Sequence, residues 1–413
     1  MTQGLTVRTT GISRTYLPKV SPNHRRMIDD LGVFEPHGWA VTSDEVTPLD
    51  LLFDLVYVFG IAQLSHHLLE NPSWNGALET FVLLVAIFAL WLQTTWTVIL
   101  RAAEGRDWPW LLLIILPFGL FMNASIDVAF GWAGWVFVGI YVGVTGVRDY
   151  WVVVSGLRPW VVEHHQRMLL WIAVSAVGWI VGAADEPHRL AWWAFAAIVD
   201  LLGIVTAHVT PWRRMHSERQ VIPRARTFER ARLFFLIALG ETIVTAGVAI
   251  AAHLRDPLTI VTGLVALTGS VALWWTYFDA KEPASRRALG ASDDPTRYSV
   301  GTFNLLFGMV AAMIVIAVGD ELVIAHPLGH TDVRLAVLVF GGPVLYLAVQ
   351  AGQAIWQRSP VDRSRSRVVA LLALVVLGVL SLRVPPFVAA VFAAALLVGV
   401  AISDARGRAL RTA

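Results

Sequence analysis

The stretch PLDLLFDLVYVFGIAQLSHHLL, Pro48 to Leu69, is long and apolar enough to cross a bilayer, whose ~30 Å hydrocarbon core takes about 20 helical residues. Yet it holds Asp54 inside and ends in His66 and His67. A carboxylate at depth costs about 2.5–3.5 kcal/mol on insertion scales, so it belongs on a face turned to a bundle interior or a water-filled cavity. At about 100° per residue, Asp50, Asp54, Tyr57, Ile61 and Ser65 share one face, while Gln63 points the other way. Asp50 reads as interfacial.

The rest of the chain repeats the first half of this pattern. Of 413 residues, 56% are hydrophobic and 15% charged, where a soluble chain would show about 25% charged; mean hydropathy is +0.62. The fold class is therefore all-α, a polytopic integral membrane protein. With no cysteine, disulfides and Cys-based metal sites are excluded. A net charge of +2 argues against a nucleic-acid surface. Residues 1–47 show no cleavable signal peptide.

Apolar runs predict twelve spans, at roughly 48–69, 76–100, 109–130, 132–154, 166–184, 190–209, 231–252, 257–279, 300–323, 333–356, 367–383 and 386–403. With the N-terminus inside, about 28 of the 32 Lys and Arg fall on inner segments, so both termini are expected in the cytoplasm. The expected organisation is a polar cytoplasmic tail over 1–47, a six-helix half over 48–210, a basic cytoplasmic loop over 211–230 and a second six-helix half over 231–413. Both halves begin inside, so any repeat between them is parallel. Trp108, Trp110, Trp132, Trp135, Trp192 and Trp193, near span ends, read as interfacial anchors; Trp91, Trp96, Trp274 and Trp275 lie deeper.

Glu241 stands about ten residues into span 7, close to the midplane, with Thr245 one turn on and Arg230 on the same face at the inner end. Gly240 and Gly247 beside it suit close helix approach. Asp200 is similarly deep in span 6. Arg148 and Asp149 suggest a local ion pair. Asp127, Asp320 and Glu321 lie near outer ends and Asp279 near an inner end, suited to a vestibule or to capping neighbours. His66 and His67 point about 100° apart, and EHHQR at 163–167 reads as loop surface. No HExxH, histidine-box, P-loop or channel-filter pattern is present, and no cofactor or metal site is expected.

Four segments, TPLDLLFDLVYVFGIAQLSHHL (47–68), ERARLFFLIALGETIVTAG (229–247), ALWWTYFD (272–279) and AVGDELVIAHP (317–327), make the chain resemble the bacterial low temperature requirement A (LtrA) family over about residues 46–400. In family terms Asp54 and Glu241 occupy the acids of the FFDLVFV and LGE motifs, and Asp279 closes WWxYFD. Asp50 and Leu52 stand where the family typically shows Glu and Phe. Gly301, Thr302, Phe303 and Asn304 stand where many members carry a Tyr and a His. The family name implies a link to growth in the cold and no established reaction.

The expected function is a transporter or channel of the bacterial cytoplasmic membrane for a small solute or ion, proton-coupled through buried carboxylates. Its pathway would use Asp54, Glu241, Asp200, Tyr57, Ser65 and Thr245, with Asp279, Asp127, Asp320, Glu321, His66 and His67 as secondary groups. The alternatives are a membrane-embedded lipid-modifying enzyme and an accessory subunit without chemistry of its own. The lipid bilayer is the one partner the composition implies; oligomeric partners are open.

Overall fold

The computed structural model describes residues 46–103, 109–210, 224–252, 254–281, 295–356 and 365–412. The tail up to residue 45 and residues 211–223 of the basic loop lie outside them. The described chain is built of helices: α1 Pro48–Glu70, α2 Trp74–Ala103, α3 Pro109–Ala124, α4 Gly134–Val154, α5 Pro159–Ala184, α6 Arg189–Val205, α7 Arg224–Ala252, α8 Pro257–Trp275, α9 Pro295–Ala325, α10 Val333–Trp356, α11 Arg365–Leu380 and α12 Pro386–Thr412. Ten of these are long and apolar enough to cross a membrane. The other two, α3 and α11, have 16 residues each, about 24 Å at 1.5 Å per residue. Each is followed by a 3₁₀ turn, Ile126–Val128 or Ser381–Arg383.

Side chains such as Ile114, Phe118, Val368, Leu372 and Val376 are exposed on the outside of the bundle. In water such a surface would aggregate; in a bilayer it is the solvated face. This is a multi-pass membrane protein. Helix α2 is mostly apolar and is buried from Val82 to Arg101, with Trp96 half-buried, as expected of a central helix hydrophobic nearly all round. It packs on α1, α3, α4, α6 and α9. Pairings within 48–205 are α1–α2, α1–α3, α2–α3, α2–α4, α2–α6, α3–α4, α4–α5 and α5–α6. Adding six to each number, α2–α4 excepted, gives pairings that also occur within 224–412, where α9–α12 and α10–α12 pack as well. The two groups meet mainly where α1 packs on α7 and α9.

Helix α1 starts where its sequence dictates. Pro48 takes the first turn, and Thr47 and Asp50 form a reciprocal capping box, satisfying backbone N–H groups that a helix start otherwise leaves bare. Its contact with α3 is a close approach through glycine. A Cβ on Gly60 would lie 2.7 Å from Cγ of Asn123, whose Nδ2 donates to the Val56 carbonyl at 2.8 Å. Gly60→Val is expected to cost about 1–3 kcal/mol by over-packing. Gly139→Ala, at a position in α4 with open space around it, is expected to be neutral or stabilising by up to about 1 kcal/mol. Unfolding of the two variants in mixed micelles would show the contrast; equal losses would refute the α1–α3 contact.

Several expectations change here. Span 7 does not begin at 231: α7 starts at Arg224, so Arg226 and Arg230 are buried helix residues rather than loop. EHHQR is no loop surface either. Pro159 opens α5, which brings His164, His165 and Arg167 into the interior. Trp193 is a buried core residue whose indole donates to the Trp179 carbonyl at 3.0 Å, whereas Trp110 and Trp132 are exposed as anchors should be. Trp274 and Trp275 are half-exposed rather than enclosed. At α6 the chain stops on two left-handed residues, Ala207 and His208, both at φ 55°. Neither is glycine, so each costs about 1–2 kcal/mol relative to an ordinary conformation.

Candidate functional site

The face of α1 read from periodicity is buried along its length: Asp50, Asp54 and Tyr57 are fully enclosed, Ile61 and Ser65 nearly so. What it meets is α7. Arg230 Nη1 donates to Asp50 Oδ1 at 2.8 Å and its Nη2 to Asp54 Oδ1 at 2.9 Å. Arg226 Nη2 donates to Asp50 Oδ2 at 2.7 Å. From α2, the Trp91 indole donates to Asp54 Oδ1 at 2.7 Å. Asp50 is therefore no bystander but the most heavily hydrogen-bonded acid among the described residues. The spacing explains the match: Asp50/Asp54 and Arg226/Arg230 each repeat at four residues, so each pair forms one ladder on one helix face. Two opposite charge ladders of equal period were the available signal, and the sequence reading missed it.

One oxygen of this cluster, Asp54 Oδ2, has no hydrogen-bond partner among the described residues, and neither has the Tyr57 hydroxyl. Tyr57 is within electrostatic reach of Arg148, Asp54 and Arg230. Ser65 turns its hydroxyl back to the Ile61 carbonyl at 3.2 Å and presents no donor to a pathway.

Glu241 lies elsewhere. It is partly exposed, accepts from Thr245 Oγ1 at 3.0 Å and makes no hydrogen bond to Asp54. Open space surrounds Gly240 and Gly247, so these glycines do not serve close helix approach. Glu241 feels the charge of Glu321 on α9, and Glu321 that of His66 on α1. His66 Nδ1 lies 3.7 Å from both Glu70 and Asp127, and Gln63 Nε2 donates to Asp127 at 3.3 Å. These groups form a string of half-exposed carboxylates from the far end of α1 down to Glu241.

The remaining candidates separate from it. Asp320, one residue from Glu321, faces a cavity of about 30 Å³ among α8, α10 and α12. Asp279 accepts from the Trp275 indole at 2.5 Å in the π-helical turn after α8. His67 Nε2 lies 3.2 Å from Glu79. Asp200 is buried and accepts from Tyr141 at 2.8 Å and Trp179 at 2.9 Å, so it braces α4, α5 and α6 and is no partner of Glu241. Arg148 pairs with Asp149 at 2.8 Å, as expected, and also donates to Thr94 and Gln93. Among the described residues no group of three His, Cys, Asp or Glu could hold a metal ion.

A family model for the bacterial low temperature requirement A protein matches residues 45–402, from the α1 cap to the middle of α12. The chain belongs to the LtrA family. It is also 30% identical over 307 residues to the uncharacterized protein RA0937 of Rhizobium meliloti (strain 1021), covering 72% of this chain and 74% of that protein. No solved structure matches it. In this LtrA chain the two motif acids are therefore in different surroundings: Asp54 is locked in an ion network, and Glu241 is open.

Proposed function

We propose that this LtrA protein is a carrier for a small solute or ion, coupled to protons through its buried carboxylates. It would sit in the cytoplasmic membrane as twelve spans with both termini inside, in two parallel six-helix halves. The matching pairings α1–α6 and α7–α12 support that build, and in α3 and α11 the added 3₁₀ turn supports a full crossing.

The observation that carries the reading is the Asp50–Arg230–Asp54 link between α1 and α7, the first helices of the two halves. An ion pair buried between two bodies is strong only while both partners are charged. Protonating Asp54 removes its share of the attraction for Arg230, leaving that of Asp50, and shifts the preference between relative positions of the halves. Glu241, reached from the outer end past Asp127, His66 and Glu321, would take up the proton or cation, with Thr245 orienting it. Tyr57 lies along the same α1 face as Asp54.

Proteoliposomes under imposed pH and potassium gradients test this. Wild type is expected to pass ions or protons, and Glu241→Gln to reduce the flux at least tenfold. Unchanged flux in Glu241→Gln and in Asp54→Asn would falsify the assignment. Absence of flux in wild type would favour lipid chemistry or an accessory role.

A further inference from the structure

A second cavity lies away from the α1–α7 link, and the transport reading does not use it. It measures about 30 Å³; apolar side chains such as Trp96, Met168, Ile204 and Phe303 make most of its wall, and its polar residues are Gln93 of α2, His164 of α5, His208 beyond α6 and Asn304 of α9. Gln93, His164 and His208 are each more than nine-tenths buried, so every polar atom they turn to the cavity needs a partner.

Their bonding makes them donors. Gln93 Oε1 accepts from Arg148 Nη2 at 2.7 Å, which leaves its NH₂ group for the cavity. Arg167 Nη2 lies 3.2 Å from His164 Nδ1. A guanidinium can only donate, so Nδ1 accepts and Nε2 carries the proton. The ring nitrogens of His208 have no hydrogen-bond partner among the described residues. It stands in the positive field of Arg167 and Arg148. The Asn304 Oδ1 has no partner either, and turning the carboxamide over presents its NH₂ instead.

The backbone points the same way. The α6 terminus is closed by His208 N–H donating to the Gly203 carbonyl, a left-handed cap for which glycine is the ordinary residue. Histidine at φ 55°, like Ala207 before it, is strained, and strain of this kind clusters at ligand sites and other functional positions. The imidazole lies at the cavity wall, edge-on to His164 with ring centroids 6.0 Å apart.

We propose that this cavity binds one small monovalent anion, of the size of a halide or formate, through the N–H groups of His164, His208, Gln93 and Asn304. No carboxylate lines it, which disfavours a cation. Its volume holds about two waters, which excludes a larger solute. The site joins α2, α5 and α6 to α9, so its occupancy would strengthen contact between the two six-helix groups.

The test is equilibrium binding and needs no transport. The purified chain in detergent is titrated with sodium chloride, bromide or formate against sodium gluconate at constant ionic strength. Thermal unfolding and tryptophan fluorescence are the readouts. Wild type is expected to show a saturable rise in Tm of several degrees with a millimolar midpoint, and bromide to quench Trp96. His208→Gly relieves the strained cap, so its Tm in gluconate should equal or exceed that of wild type, while its anion midpoint weakens at least tenfold. Gln93→Ala should weaken it similarly. An identical wild-type Tm in all four salts would mean that the cavity holds water only, and the proposal fails. A saturable response kept in full by His208→Gly also overturns it.

Discussion

Arg230→Met is expected to lower the unfolding free energy by about 3–5 kcal/mol, because it strands a buried charge rather than merely deleting a contact. Arg230 and both its acids are completely enclosed. Without it, Asp54 keeps only the Trp91 indole, and Asp50 keeps Arg226 and its cap. Arg230→Lys should recover less than half of the loss, since one ammonium cannot span two carboxylates as Nη1 and Nη2 do. Adding Asp54→Asn to Arg230→Met should restore part of the stability by removing the uncompensated charge. Equilibrium unfolding of wild type, Arg230→Met, Asp54→Asn and the double variant in mixed micelles gives the cycle. Strictly additive losses would show that the two residues do not interact, and the α1–α7 link would have to be abandoned.

Arg148→Met should be comparably damaging, by about 3–5 kcal/mol, for a different reason. Its guanidinium is buried and binds Asp149 at 2.8 Å, Thr94 at 3.0 Å and Gln93 at 2.7 Å, knitting α4 to the central α2. Its removal leaves Asp149 with His165 Nε2, 4.0 Å away. Asp149→Asn, which keeps shape and discards charge, should cost less than Arg148→Met. A loss below about 1 kcal/mol for Arg148→Met would be the behaviour of a solvated surface pair and would contradict the burial described.

The sequence made some of this legible and hid the rest for physical reasons. Helical periodicity fixes which residues of α1 share a face, and membrane solvation turns an acid inward, so the burial of Asp54 could be read directly. Its partner could not, because Arg230 lies 176 positions away. Counting basic residues for orientation also treats every Arg near a span end as loop, whereas Arg226 and Arg230 are part of α7. His164 and His165 were hidden by the polarity of EHHQR, which resembles surface until Pro159 is taken as a helix start. That Glu241 stands within α7 was legible from the apolar run around it. Its openness depends on what α9 and α1 place opposite, which one segment does not encode.

The distance between Asp50 and Arg230, 180 positions, also has a meaning in time. At synthesis rates of about 5–20 residues per second, α1 reaches the bilayer roughly 10–35 s before the arginine that neutralises its acids. Through that interval Asp50 and Asp54 must stay protonated, or remain near water at the membrane surface. Insertion of α1 is therefore provisional until α7 emerges, and a ribosome that stalls before Arg224 leaves a chain for membrane quality control to remove.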